Sequence, residues 1–527
     1  AKVDLLTRRV VDPAVSADYA CRQEHLTDKV SIVRIDCGED AYIPKEQLWD
    51  CLDSLADNAL NFIRENHLTP DVIHSHYADA GYVGVRLSSQ LGIPLLHTGH
   101  SLGRVKRQRL LASGLKRDEI ERQYNISRRI EVEEDVLGVA DLVITSTHQE
   151  IEEQYGLYRH YQPEQMSVIP PGTELDLFFP PDGSEQDSPM QRELARFLKC
   201  PDKPIILAMS RPDKRKNLGT LLEVYGESVE LQKVANLVVV AGTRDDIREM
   251  GSRPQEILTE LLLTIDQYDL YGKVAYPKYH QQDDVPVLYR LASASGGVFI
   301  NPALTEPFGL TLIEAAASHL PIVATEDGGP RDITSNCHNG YLVDPLDKSD
   351  IEKALLKILS DTKAWTTLAD NGLSGVRRYY TWHAHVERYL EAVHTVVDRT
   401  SPPVRAPLRR SRSLYHDRAI ISDLDQNLLT DPKSMASFIS LMRENRKCAT
   451  FGIATGRRLD SALRIMKQYG IPQPDVLITS LGTDIHYAPR LTADYAWVNH
   501  IDHLWKRKAV VRILADLPGI KLQPKTE

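Results

Sequence analysis

Cysteine is scarce in this sequence and nowhere paired. Six cysteines stand far apart, at Cys21, Cys37, Cys51, Cys200, Cys337 and Cys448, and no two make a CxxC spacing. That argues against a zinc centre or a disulfide framework and fits free thiols in a reducing cytosol, so a cytoplasmic setting is expected. Long apolar runs are missing too: nothing approaches the roughly 20 residues that span a bilayer, and no signal-peptide pattern opens the chain, so no membrane partner is expected. Positive charge is outweighed, with 63 Lys and Arg against 73 Asp and Glu, a net charge of −10. A general nucleic-acid surface is therefore not expected. The Gly-rich turn that usually opens a Rossmann-type half is also missing. Lys2–Arg8 already reads as a strand, and the expectation is a chain trimmed at its N-terminus.

What is present is ordinary soluble composition, 42% hydrophobic and 26% charged over 527 residues, enough for three to four domains. Strands expected at Val30–Ile35, Asp71–His76, Pro94–Gly99 and Asp141–Ser146 alternate with helices expected at Leu48–Asn66, Ala80–Gln90 and Ile120–Leu137. After a Pro- and Gly-rich crossing (Ile169–Gly172, Pro180–Pro189) the alternation restarts at Ile205–Ser210, Leu237–Gly242, Lys273–Pro277, Val298–Asn301 and Pro321–Thr325. Such alternation predicts an α/β protein with two tandem Rossmann-like domains facing a cleft. The expected division is 1–170, 171–397 with its last helix able to cross back, a basic Pro/Ser/Arg linker at 398–418, and a further α/β unit at 419–527. Arg409, Arg410 and Arg412 fit a solvated linker better than an anion site.

The stretch Gly296–Ala317 organises the second half. Its apolar strand runs into a loop and then a helix expected to open near Phe308. Glu306 and Glu314 bracket that turn, and Gly309 at the helix start lets a ligand approach the backbone. Two carboxylates so placed could grip a sugar and a ribose at the two ends of a diphosphate. The bland alternative is a capping acid and a solvated one. In the same half, Ser210–Asn217 follows a strand with Arg211 and Lys216, a planar fork and a mobile point charge suited to phosphate oxygens. In the first half, His97–Ser101 ends a strand. His100 is the histidine expected to reach a sugar; His74 and His76 are expected to be structural.

These segments together resemble the sucrose-phosphate synthase family of retaining GT-B glycosyltransferases. The marks are VDLLTR near the start, YIPKE at Tyr42–Glu46, HYADAGY at His76–Tyr82, TGHSLGR at Thr98–Arg104, RRIEVEE at Arg128–Glu134, SRPDKRKN, and EPFGLTLIE. The resemblance implies UDP-glucose as donor and fructose 6-phosphate as acceptor. It implies Glu306 on the sugar, the Phe308, Gly309 and Leu310 amides at sugar and diphosphate, and Glu314 on the ribose. Arg211 and Lys216 would meet the diphosphate and His100 the glucose 6-hydroxyl. Lys45, Lys106 and one of Arg128 or Arg129, beside Ser101, would hold the acceptor phosphate. Front-face attack is implied, with positioning and positive charge supplied by the protein and no metal needed for transfer.

Residues 419–527 resemble a haloacid-dehalogenase (HAD)-like sucrose-phosphatase region of about half the usual length. Asp423-Leu424-Asp425 matches its first motif, nucleophile and acid/base, and Ala454–Arg457, with Thr455, its second. Asn427 stands where threonine is usual, and no Gly-Asp…Asp motif completes a magnesium site, so this unit is expected to be inactive or to bind sugar phosphate without cleaving it. A separate sucrose-phosphate phosphatase would then be a partner. Three readings stay open beside the main one: ADP-glucose or GDP-mannose as donor, a magnesium-dependent sugar-phosphate phosphatase, and a silent sugar-nucleotide-binding protein.

Overall fold

The computed structural model describes residues 2–398, 418–445, 449–488, 491–501, 510–511 and 514. The linker reading for 398–418 lies outside them apart from its two end residues, as does Cys448. The chain divides into two compact units, one made of 1–144, 154–167 and 395–527 and the other of 145–153 and 168–394.

The first unit opens with β1 (Val3–Arg8), β2 (Gln23–Thr27) and β3 (Val30–Ile35), a sheet in the order β1-β3-β2. β3 runs parallel to β1 and antiparallel to β2. β2, which the sequence did not show as a strand, is antiparallel because only Asp28 and Lys29 join it to β3, and a connection that short permits only a hairpin. A separate four-stranded sheet follows in chain order: β4 (Ile73–His76), β5 (Leu95–Thr98), β6 (Leu142–Thr145) and β7 (Met166–Val168). β4, β5 and β6 are parallel neighbours.

Two expected helices differ in detail. Leu48–Asn66 is a 3-10 turn, Lys45–Cys51, running into the α-helix Leu52–Glu65. Ile120–Leu137 is two helices, Arg117–Tyr124 and Ile126–Val139, broken at Asn125 with φ 45°. Asparagine tolerates this left-handed conformation better than most residues, so the break costs little there.

The second unit is one parallel sheet of β8 (Ile205–Met209), β9 (Asn236–Val240), β10 (Val274–Ala275), β11 (Val298–Asn301), β12 (Ile322–Thr325) and β13 (Gly340–Val343). Its order is β10-β9-β8-β11-β12-β13. This is the doubly wound order, whose direction of winding reverses between β8 and β11. Leu207, Val238, Phe299 and Ile322 pack on one face, and Ile206, Leu237, Val298 and Val323 on the other. Burial of both faces is why these strands read as unbroken apolar runs. Each such large side chain contributes roughly 1.5–3 kcal/mol on leaving water.

The rest of the first unit holds β14 (Arg418–Asp423), β15 (Ala449–Ala454), β16 (Val476–Thr479), β17 (Asp484–Tyr487) and β18 (Thr492–Ala493), side by side in that order. The first three are parallel and the last two antiparallel. Leu424, Phe451, Ile453, Met466 and Leu477 form their core. Among the described residues no helix is long and apolar enough to cross a membrane.

Candidate functional site

In the second unit the suspected loops leave β8 and β11, the strands on either side of the reversal. Ligands of open α/β sheets lie at the carboxyl ends of such strands. The helix after β11 begins at Leu310, not near Phe308, because Gly309 adopts φ 105° and caps it. Glu314 therefore lies one turn into that helix.

Glu306 is fixed at both ends. Its backbone bridges to the segment after β12: its N–H donates to the Asp327 carbonyl at 3.0 Å, and its own carbonyl accepts from Gly329 N–H at 2.9 Å. Glycine is required at this crossing. A Cβ on Gly328 would stand 2.0 Å from the Glu306 carbonyl oxygen, and one on Gly329 2.2 Å from that of Phe308. The Glu306 side chain is 12% exposed, and its Oε2 accepts from Lys216 Nζ at 2.5 Å and from Asn301 Nδ2 at 2.8 Å. Lys216 and Glu306, chosen separately from the sequence, are thus an ion pair.

Arg211 is exposed, and among the described residues its guanidinium makes no hydrogen bond or ion pair. Its neighbour Arg215 instead forks onto Asp213, and that fork holds the Asp213 carboxyl down to about 2. Glu314 accepts from the buried Tyr289 hydroxyl at 3.0 Å. Burial raises the Glu314 carboxyl above its ordinary value, and the Tyr289 bond offsets part of that rise.

In the first unit, Lys45, Lys106 and Arg129 converge. Lys45 Nζ lies 5.2 Å, and the Arg129 guanidinium 4.4 Å, from the Tyr77 ring centroid. Lys106 lies over the Tyr124 ring and 4.0 Å from Glu46. Burial, then the charges of Lys45 and Arg129, push the Lys106 ammonium below its ordinary value. Lys45 and Arg129 thus lie close enough to oppose the charge of Lys106, with Glu46 and Asp79 also nearby. Arg129 is an arginine at Tyr77, and Arg128 pairs with Asp50 at 2.7 Å.

Arg129 does more than carry charge. It donates to the Ser101 carbonyl and to Glu133 Oε1, the latter at 2.8 Å. Glu133, 3% exposed, accepts from Gly103 N–H at 2.9 and 3.0 Å and from the Tyr158 hydroxyl. Arg104 pairs with Glu134 at 2.6 Å. The HSLGR loop and the RRIEVEE helix are therefore locked residue by residue. His100, in that loop with φ 57°, meets His76 through Nε2 and Nδ1 at 2.9 Å, and His74 meets Thr98 at 2.9 Å.

Near the C-terminus, Asp423 accepts from Gln426 N–H and turns the chain after β14. Both oxygens of Asp425 are taken by Arg457, at 2.6 to 2.9 Å, and Thr455 donates to the same carboxylate at 3.3 Å. A carboxylate so occupied does not fit a magnesium ligand set, and among the described residues no group of three His, Cys, Asp or Glu is placed to hold a metal.

Sequence reasoning missed Asn301, Tyr289, Glu133 and the Gly328-Gly329 pair. Glu133 had a signal: it lies four residues after Arg129 on the buried face of one helix.

Family models match three segments: "Glycosyltransferase Family 4" at 19–177, "Glycosyl transferases group 1" at 190–374 and "Sucrose-6F-phosphate phosphohydrolase" at 416–527. Sucrose-phosphate synthase 4 of Arabidopsis thaliana is 44% identical over 74% of this chain and 43% of its own length. A probable sucrose-phosphate synthase of Solanum tuberosum is 42% identical over 82% of this chain and 45% of its own. The chain thus spans less than half the length of these curated relatives. The solved sucrose-phosphate synthase of Thermosynechococcus elongatus aligns at TM-score 0.55 and 27% identity, covering 75% of this chain and 88% of that one. The chain shares its GT-B fold, with the first half's strands divided between two sheets, and the last segment is HAD-like.

Proposed function

The chain is a homologue of the sucrose-phosphate synthases, and from that premise we propose that it moves glucose from UDP-glucose to fructose 6-phosphate. The products are sucrose 6-phosphate and UDP, and the anomeric configuration is retained. The observation that carries this reading is the convergence of Lys45, Lys106 and Arg129 at Tyr77 and Tyr124. A phosphate dianion would relieve their mutual repulsion. An unphosphorylated ketose brings no charge to do so, which favours the phosphorylated acceptor.

Donor binding falls to the second unit. Arg211 and Lys216 would meet the diphosphate, together with the N–H groups of Phe308–Leu310 at a helix start. Glu306 has one oxygen committed to Lys216 and Asn301; its other oxygen would accept from a sugar hydroxyl. Glu314 would accept from the ribose, and His100 would meet the glucose 6-hydroxyl. As the bond from the anomeric carbon to the diphosphate oxygen breaks, a fructose hydroxyl oxygen bonds to that carbon from the same face. The departing phosphate takes the hydroxyl proton. The protein supplies placement and positive charge for the leaving group, not a nucleophile.

Transfer on this reading needs no divalent cation, because side-chain cations and backbone N–H groups answer the leaving charge. The grip of Arg457 on Asp425 favours transfer over phosphate hydrolysis, so sucrose 6-phosphate would pass to a separate phosphatase. The scattered cysteines, with no CxxC spacing, favour a cytoplasmic setting. The test is incubation with UDP-glucose, ADP-glucose or GDP-mannose, each with fructose or fructose 6-phosphate, and identification of the product. Sucrose 6-phosphate should form from UDP-glucose and fructose 6-phosphate, also in chelator. Equal use of free fructose, or strict loss of activity in chelator, would refute the reading.

A further inference from the structure

Asn301 closes β11, and its side chain is 7% exposed. Buried at the end of a parallel strand, an amide has few places to send its donors and acceptor. Here the acceptor and one donor are accounted for. Its Oδ1 accepts from Ala303 N–H at 3.2 Å, which fixes which end of the amide is the donor, and Nδ2 then donates to Glu306 Oε2 at 2.8 Å. Lys216 Nζ reaches that same oxygen at 2.5 Å. Oε1 accepts no hydrogen bond among the described residues. The carboxylate is held by one oxygen and open at the other.

We propose that Asn301 is a positioning residue that keeps Glu306 Oε1 aimed at the donor sugar while Lys216 is drawn to the diphosphate. The inference rests on the transfer reading above. Lys216 is a flexible ammonium with two claims on it, the carboxylate and the incoming phosphate charge. Asn301 has one, because its amide is pinned by the strand behind it and by Ala303. When phosphate draws the lysine off, the amide still holds Oε2, and the sugar-facing oxygen does not turn. A donor amide serves here and a carboxylate would not: aspartate would set two acceptors 2.8 Å apart unless one were protonated.

The test combines Asn301→Leu, Asn301→Asp and Glu306→Gln. In steady-state transfer, Asn301→Leu should lower kcat/KM for the nucleotide sugar by about 10- to 100-fold and leave the KM for the acceptor within twofold. Added to Glu306→Gln it should lower the rate no further, because its effect passes through that carboxylate. Asn301→Asp should be worse than Asn301→Leu at neutral pH and recover as pH falls, when a protonated carboxyl can donate in the amide's place. A merely structural role would give neither the recovery nor the loss of additivity. Parental kcat/KM in Asn301→Leu, or a double variant slower than Glu306→Gln alone, would overturn the proposal.

Thermal unfolding of the ligand-free protein supplies a readout independent of activity. The same double-mutant cycle should be non-additive there. Non-additive unfolding with no transfer by the parent would refute the proposed function and leave the pairing standing. Additive unfolding would refute the pairing whatever the enzyme does.

Discussion

Replacing Gly328 by alanine is the most direct way to move Glu306 without touching it. The backbone there has φ 109°, and the added Cβ would stand 2.0 Å from the Glu306 carbonyl oxygen and 2.8 Å from its carbonyl carbon. Neither is the tip of a flexible side chain, so the loop itself must yield by about 1.4 Å or more to reach ordinary contact. Left-handed strain costs about 1–3 kcal/mol. The hydrogen bonds from Glu306 N–H and Gly329 N–H contribute about 0.5–1.5 kcal/mol each, so the local penalty is about 2–6 kcal/mol if both are lost. A displacement of that size at a reacting group costs on the order of 100-fold in rate. We expect Gly328→Ala to lose about that much in kcat/KM for the nucleotide sugar, approaching the level of Glu306→Gln, which removes the charge but leaves the backbone path alone. Calorimetric binding of fructose 6-phosphate, assigned to the first unit, should be unchanged. Circular dichroism should report the parental fold. A Gly328→Ala enzyme within threefold of the parent would show that the crossing at Gly328 does not set the position of Glu306, and the reasoning would fail.

Lys45→Ala should raise the KM for fructose 6-phosphate about 10- to 100-fold, the worth of a charge-assisted hydrogen bond, with the donor KM little changed; an unaltered acceptor KM would remove Lys45 from the phosphate site. Acceptor affinity should weaken as pH rises through the pKa of Lys106, which lies below that of a free lysine because of burial, Lys45 and Arg129; Lys106→Arg should flatten that alkaline limb. His97 is buried and its ring is pushed down to about 3, so between there and about 6.5 the unfolded chain holds a proton that the folded one does not. Stability from His97 is complete above that window and should fall by about 1.4 kcal/mol per unit as pH drops through it, measured as the difference in urea unfolding between the parent and His97→Gln. The subtraction matters because Asp135, raised to about 7 by burial, contributes the opposite slope: its folded form keeps a proton that the unfolded form loses. Sucrose 6-phosphate with magnesium should release no more phosphate with the parent than with Asp423→Ala; phosphate release lost in that variant would assign hydrolysis to the C-terminal unit.

The elements of the second unit were legible because each strand is buried on both faces, so IILAM, NLVVV and VFIN read as short apolar runs with turn residues after them. β2 was not, since Gln23–Thr27 has a mostly exposed, polar pattern and takes its place only by pairing with β3. The break at Asn125 was hidden because no proline or glycine marks it between Arg117 and Leu137. Among the site residues, Lys216 and Glu306 were found apart, each from its own loop chemistry, and only the fold shows that they touch. Arg128 and Arg129 were adjacent and equal in composition. The periodicity of Ile126, Ile130, Glu133 and Leu137 puts Arg129 on the inner face, a distinction available in the sequence but not drawn from it. Asn301 carried no spacing signal, because its partner reaches it through a loop whose return path the sequence does not specify.

The lock between Ser101–Arg104 and the helix Ile126–Val139 has a practical corollary for anyone recombining related chains. Gly103 and Glu133, Ser101 and Arg129, Arg104 and Glu134 are matched pairs, so the loop and the helix behave as one machined part. A chimera that imports either segment alone inherits a lock without its key, leaving Glu133 beneath the surface with its amide partner displaced. Because Tyr158, Arg159 and His160 also bond to Glu133 and Glu134, crossover points belong before residue 99 or after residue 160.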